Sequence, residues 1–216
     1  MERAPSFRYG AVLLCAVTAL VFLIVAPATD WARAVALALE GLALAIAVAT
    51  ASMRPRVQRA RAVVIGGAAA LLVVAVAAGA LSPEVSAALS ALAGTGASLA
   101  LVGGLIRLVR RHGVTLQAVA GALAIYVQLG LIFAWLIGFV AHVSSEPYFT
   151  QGGDGSQADR VYFSFTVLTT TGFGDFTAAQ PLGRGIAVVE MLSGQIYLVT
   201  VIGVLVGGLV GSRRER

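Results

Sequence analysis

The residues with the clearest chemistry are six in a row, Thr170-Thr171-Gly172-Phe173-Gly174-Asp175. They contain no nucleophile beside a base and no cluster of metal-binding side chains. What they offer is oxygen, from consecutive main-chain carbonyls and a threonine hydroxyl. A dehydrated monovalent cation needs a cage of such oxygens to replace its lost water. Consecutive carbonyls can face one line only if the backbone dihedrals alternate in sign, and glycine takes positive φ at little cost. Gly172 and Gly174 stand at alternate positions, as that demands. Thr170, Thr171, Gly172, Phe173 and Gly174 therefore form a candidate ion-coordinating strand. The carbonyls of Thr170, Thr171, Gly172 and Phe173 and the Thr170 hydroxyl would hold the ion. Taken alone the string is a weak signal, because most glycine-rich turns are only turns.

Its surroundings strengthen it. Residues 144–159 are a polar, glycine-containing loop, and Ser156-Gln157-Ala158-Asp159 fits a capping box that starts a helix over 157–168. At 1.5 Å per residue that helix reaches only about halfway into a bilayer. Such a half-helix is tolerated in hydrocarbon only where protein or a water-filled cavity surrounds the chain beyond its end. Its C-terminus, partially negative, points toward the bilayer centre, where it stabilises a cation.

The rest of the chain is membrane-like. Of its 216 residues 59% are hydrophobic and 12% charged, well outside the range of a soluble domain. Hydropathy predicts six spans, over 9–26, 32–52, 62–81, 85–106, 116–143 and 185–211. The fold class expected is thus an all-α membrane protein with six transmembrane helices. A re-entrant pore helix and filter loop lie between the fifth and sixth. Two domains are expected: an N-terminal four-helix domain, 1–112, and a pore domain, 113–216. All fifteen basic residues are arginines, and if the spans alternate, twelve of them fall on one face. Arginine excess marks the cytoplasmic side, which puts both termini inside the cell membrane and the filter mouth outside. The arginines serve topology, and the net charge of +5 does not call for nucleic acid. A rival reading takes the first run, ending near Ala26-Pro27-Ala28, as a cleaved signal peptide, which changes only the helix count. The single cysteine, Cys15, allows no disulfide within the chain. No catalytic constellation, P-loop or metal-ligand spacing appears, so neither enzyme activity nor a cofactor is expected.

The six-residue string resembles the selectivity filter of the potassium-channel superfamily, usually written Thr-Val-Gly-Tyr-Gly-Asp. The handling of an ion by rings of such carbonyls is the general model for that filter. The similarity is close over 157–208, and 183–194 looks like the start of the inner helix of bacterial two-helix pore domains, with Gly194 at their gating-hinge glycine. Glu190, Gly194, Gln195 and Tyr197 also match a Glu-x-x-x-Gly-Gln-x-Tyr pattern in a broad set of bacterial ion-channel sequences. The resemblance implies a homotetramer in the lipid bilayer, conducting K+ passively along its axis with K+ at Thr170, Thr171, Gly172 and Phe173. The departures are specific. Phe173 stands where tyrosine is common, Thr171 where valine or isoleucine is usual, and Thr166 where some bacterial members have glutamate. Tyr162 and Phe163 occupy the places of an aromatic pair that is often tryptophan. Tyr162, Phe163 and Thr166, with Thr169, would support the filter from the pore helix.

Several residues carry two readings. Asp175 caps the filter and either draws cations to the outer mouth or bonds back to Tyr162. Glu190, inside the sixth span, either modulates opening by titrating or bonds statically behind the filter to Thr166 or Thr169. Glu40, an acid within the first four spans, is either functional or partnered near the outer interface. His112 and His142 suggest nothing beyond structure. The first four spans resemble a voltage-sensor domain by position, but 85–106 lacks the arginines a sensor moves through the field. Weak voltage dependence is expected. Gly203, Gly207 and Gly211 suit close helix crossing at a gate or plain packing in lipid. The stretch 212–216 is short and charged, so nucleotide or calcium gating would need another protein. Two alternatives remain: a cation channel that discriminates K+ from Na+ poorly, and a non-conducting membrane subunit or transporter component.

Overall fold

The computed structural model describes residues 8–27, 29–51 and 83–214, with the single positions 67, 70 and 74. All regular structure among them is helical. α1 spans Arg8–Val25, α2 Asp30–Ala51, α3 Pro83–His112, α4 Leu116–Val143 and α5 Gln157–Leu168. α6 (Pro181–Ile196) continues through a π-helical segment (Tyr197–Ile202) into α7 (Gly203–Arg214). No strand occurs among the described residues, and extended pairing is limited to isolated bridges from Phe149 to Gly153 and Ala178.

Two stretches are long and apolar enough to cross a membrane, Leu116–Val143 with 28 residues and Pro181–Gly211 with 31. Each is longer than the roughly 20 residues that hydrocarbon requires. The expected count of six spans is therefore not met among the described residues. The apolar run of α1, Tyr9–Val25, is shorter, and α2 carries Asp30, Arg33 and Glu40 in its first half. The expected third span, 62–81, lies outside the described residues, apart from isolated helical positions.

Other boundaries also differ from the hydropathy reading. α3 runs past 106 to His112 and takes Arg107, Arg110 and Arg111 into its last turns. Arginine is a good helix former, and the helix stops only where Gly113 turns left-handed, at φ +68°, with its N–H on the Val109 carbonyl at 2.9 Å. α6 starts at Pro181, ahead of the apolar run, because a proline in the first turn loses no helical hydrogen bond.

α4 is the hub. It packs against α1, α3 and α5, and its N-terminal half meets the π segment and α7. The core at that end joins Tyr9 and Val12 of α1, Leu101 and Leu105 of α3, Ala118, Ala122 and Ile125 of α4, and Leu205 of α7. Small residues on α4 let its neighbours approach closely, the usual route to helix association where lipid removes the hydrophobic drive. At mid-length Leu23 of α1 and Ala36 of α2 pack with Leu131 and Ala134 of α4 and Val161 of α5. The short helix α5 is thus held in a protein surround.

Candidate functional site

The site is built from α5 downward. Ser156 caps the helix: its hydroxyl accepts from the Asp159 N–H at 3.2 Å, and its own N–H donates to the Asp159 carboxylate at 2.7 Å. Two amides that helix geometry leaves unpaired are thereby satisfied. Val161, Phe163, Ser164, Val167 and Leu168 are buried against α4 and the outer loop. At the far end the Tyr126 hydroxyl of α4 donates to the Leu168 carbonyl at 3.3 Å.

The chain then turns out of the helix into the six-residue string. Positive φ falls at Thr170 (+58°), Gly172 (+54°) and Gly174 (+83°), every second residue. The amides of Thr171 and Gly172 both donate to the Thr166 carbonyl, at 2.9 and 3.1 Å, and that of Thr170 to the Val167 carbonyl at 2.9 Å. These bonds turn the N–H groups back onto α5 and make no use of the carbonyls of Thr170, Thr171, Gly172 and Phe173. A Cβ added at Gly172 or Gly174 would meet nothing within 4 Å, so the backbone conformation alone asks for glycine there. Thr170 holds the same left-handed region with a β-branched side chain. Residues 169–175 are all exposed in the single chain, Phe173 to 70%.

Behind the string, the Tyr162 and Phe173 rings stack at 6.3 Å and 4° between planes. Phe173 has no hydroxyl, so its contact with Tyr162 is between rings alone. Tyr162 also lies edge-on to Phe176 at 6.2 Å, and its hydroxyl interacts with the Asp175 carboxylate. Asp175 in turn accepts from the Phe176 N–H at 3.1 Å, and its carbonyl accepts from the Gln151 amide. Phe163 is buried in an aromatic cluster, 5.2 Å from Phe149 and 6.3 Å from Tyr148. Thr166 ties its hydroxyl to the Phe163 carbonyl at 2.8 Å. Thr169 donates to the Phe165 carbonyl at 2.7 Å and lies 2.9 Å from the Thr171 hydroxyl. A hydroxyl has one hydrogen, so Thr171 is the donor between them. The threonine at 171 thereby finds a polar partner behind the string.

The outer loop is stitched to the chain beyond the string. The Thr150 N–H donates to the Thr177 carbonyl at 2.9 Å, and the Ala179 N–H to the Tyr148 carbonyl at 2.8 Å. Arg160 caps the loop carbonyls of Asp154 and Gly155 at 2.9 and 3.0 Å. Arg184 does the same for Ala178 and Ala179 at 3.1 and 3.2 Å. The Tyr148 ring is sealed in this layer, and burial pushes its phenol up from the ordinary value.

From the inner side, α6 and the π segment meet the same region. Glu190 is fully buried, with Oε1 2.5 Å from the Ser164 hydroxyl, which also lies 2.7 Å from the Gly130 carbonyl. Its partner is Ser164 rather than Thr166 or Thr169. The hydroxyl's single hydrogen cannot serve two acceptors; the Gly130 carbonyl, Ser164 Oγ and Glu190 Oε1 are all satisfied when Glu190 carries a proton on Oε1 and donates it to Ser164. Glu190 Oε2 is buried without a hydrogen-bond partner among the described residues. Gly194 presses on the end of α5: a Cβ there would fall well inside contact distance of the Leu168 carbonyl oxygen. The expected hinge glycine is thus first a point of close approach, while the departure from the α-helical ladder comes three residues later, at Tyr197. Gln195 donates to the Thr170 hydroxyl at 3.2 Å. Tyr197 donates to the Ala122 carbonyl at 2.8 Å and stacks on Tyr126 at 5.9 Å.

Sequence reasoning did not find Ser164, Tyr126 or Gln195 as members of the site. Ser164 and Tyr126 carry no local pattern, and their partners are 26 and 42 residues away. Gln195 had a signal, its place in the Glu-x-x-x-Gly-Gln-x-Tyr string. Residues 122–209, which contain every element of this site, match the family model described as "Ion channel". No curated protein and no solved structure matches the chain.

Proposed function

We propose that this protein is a potassium-selective channel of the potassium-channel superfamily, a reading supported by the match of residues 122–209 to the ion-channel family model. A channel family implies an oligomeric pore in a lipid bilayer, and the reading here is a homotetramer. One strand per chain cannot encircle an ion, whereas four copies around an axis can. The observation that carries the reading is the alternation of φ at Thr170, Gly172 and Gly174, with the amides turned back onto α5. On this reading the carbonyls of Thr170, Thr171, Gly172 and Phe173 face a common line. K+ sheds water, occupies several of these cages at once and moves by displacement from one to the next. Thr170 contributes its hydroxyl at the inner end, and Asp175 sits at the outer mouth with its carboxylate toward Tyr162.

The proposed setting is the cell membrane, with both termini cytoplasmic and the filter mouth outside. Residues 113–216 form the pore domain and 1–112 an N-terminal membrane domain, six spans in all. That N-terminal domain lacks sensor arginines, so opening is not strongly voltage-driven. One observation favours a second reading, a channel with weak preference between K+ and Na+. Phe173 supports the filter by a ring stack alone, with no hydroxyl to anchor it.

Counting subunits tests the assembly. Native mass measurement of detergent-purified protein should give four copies of the 22.1 kDa chain. A stable monomer or dimer removes the ion path and the proposal with it.

A further inference from the structure

Three threonines run in sequence at the base of the string, and their hydroxyls go to different places. Thr169 donates to the Phe165 carbonyl and Thr171 donates to Thr169, so both are tied to the pore helix α5. The Thr170 hydroxyl alone reaches across to the inner helix, where it accepts from the Gln195 side-chain amide at 3.2 Å. A threonine oxygen has two lone pairs and its own hydrogen. Accepting from Gln195 therefore still leaves one lone pair free for a cation.

Two further features make this contact more than incidental. Among the described residues Thr170 is the non-glycine with positive φ, a conformation that its surroundings must hold in place. The bond to Gln195 selects one side-chain rotamer and fixes it from outside the pore helix. Gln195 also sits where it does because of its neighbour. With no side chain at Gly194, α6 closes onto the Leu168 carbonyl, and the next residue arrives at the base of the string. Gln195 is itself exposed, so its amide is not required to satisfy a buried group.

We propose that Gln195 is a positioning residue for ion selectivity, acting through Thr170: its amide sets the orientation of the hydroxyl at the inner end of the ion path. The inference rests on the potassium-filter reading and adds the inner helix as a determinant of that filter's geometry. Gln195→Met keeps the side-chain length and removes the donor. Gln195→Glu keeps the length but accepts instead, so that Thr170 must donate and turn its oxygen.

The test uses the full chain reconstituted in bilayers, with reversal potential read under opposed K+ and Na+ gradients. Both variants should lower the K+/Na+ permeability ratio by about threefold to tenfold, the scale of one hydrogen bond. The melting temperature of the assembly should not move. In a Thr170→Ala background Gln195→Met should have no further effect, because the group it acts through is gone. Should Gln195→Met fail to assemble, Gln195→Asn, which keeps the amide but is one methylene short, carries the same expected drop. A native ratio in the assembled variant, or a drop of equal size in the Thr170→Ala background, overturns the inference alone. A native protein that conducts without preference, or not at all, overturns the filter reading and the inference together.

Discussion

Replacing Gly194 by alanine separates two roles for this glycine. Helix propensity favours the change, by about 1 kcal/mol for an interior position. Contact opposes it. The new methyl would overlap the Leu168 carbonyl oxygen and stand 3.0 Å from Leu168 Cδ1. Carbon atoms at their optimal separation lie about 3.5–4.0 Å apart, and carbon–oxygen contacts are comfortable only from about 3.3 Å. The nearer atom is backbone, so no side-chain rotation relieves it, and α6 must withdraw from the end of α5. Overpacking of this kind costs about 1–3 kcal/mol and occasionally more. In the proposed tetramer the effect on assembly is multiplied over four copies. The expected result for Gly194→Ala is a net loss of about 1–2 kcal/mol per chain, the contact outweighing the propensity. The Leu168 carbonyl lies one residue before the turn into the string, so K+ preference should fall as well. The assay pairs thermal melting of the assembly with reversal potential in bilayers. If Gly194 serves only as a flexible joint, the variant changes open probability while melting and ion preference stay native. That outcome refutes the contact argument.

Glu190→Gln should keep conduction and stability close to native, because the amide can donate to Ser164 as a protonated acid does. Glu190→Ala leaves a cavity and strands the Ser164 network, costing about 2–4 kcal/mol in melting experiments. Equal melting of the two variants contradicts the assigned bonding, and strong pH dependence of opening that Glu190→Gln removes would favour a titrating role instead. Phe173→Ala deletes the stack on Tyr162, worth about 0.5–1.5 kcal/mol beyond its area. It should reduce K+ over Na+ preference in reversal-potential measurements. Gly172→Ala meets no atom within 4 Å, so its cost is conformational, about 1–2 kcal/mol in each chain. Loss of K+ current without loss of the tetramer, seen by native mass alongside recording, is the expected outcome.

The parts of the site legible in the sequence are those with local physics. Ser156 and Asp159 announce a helix start because a capping box is a contact between near neighbours. Gly172 and Gly174 mark positive φ because few other residues tolerate it. Thr170 shares that conformation with no compositional sign, since a β-branched residue there is stabilised by its environment. The role of Gly194 depends on a carbonyl 26 residues earlier, and the pairing of Glu190 with Ser164 is likewise tertiary. The π segment Tyr197–Ile202 contains neither proline nor glycine to signal it. Hydropathy located the two long spans but began the second at 185, because Pro181 and Arg184 interrupt the apolar run, whereas the helix itself starts at Pro181.

The most direct measurement of the central claim is the reversal potential of the purified, reconstituted protein with K+ on one side of the bilayer and Na+ on the other. A potential displaced far from zero in the direction set by K+ is the predicted result. Robust current that reverses near zero contradicts a potassium filter at Thr170–Gly174.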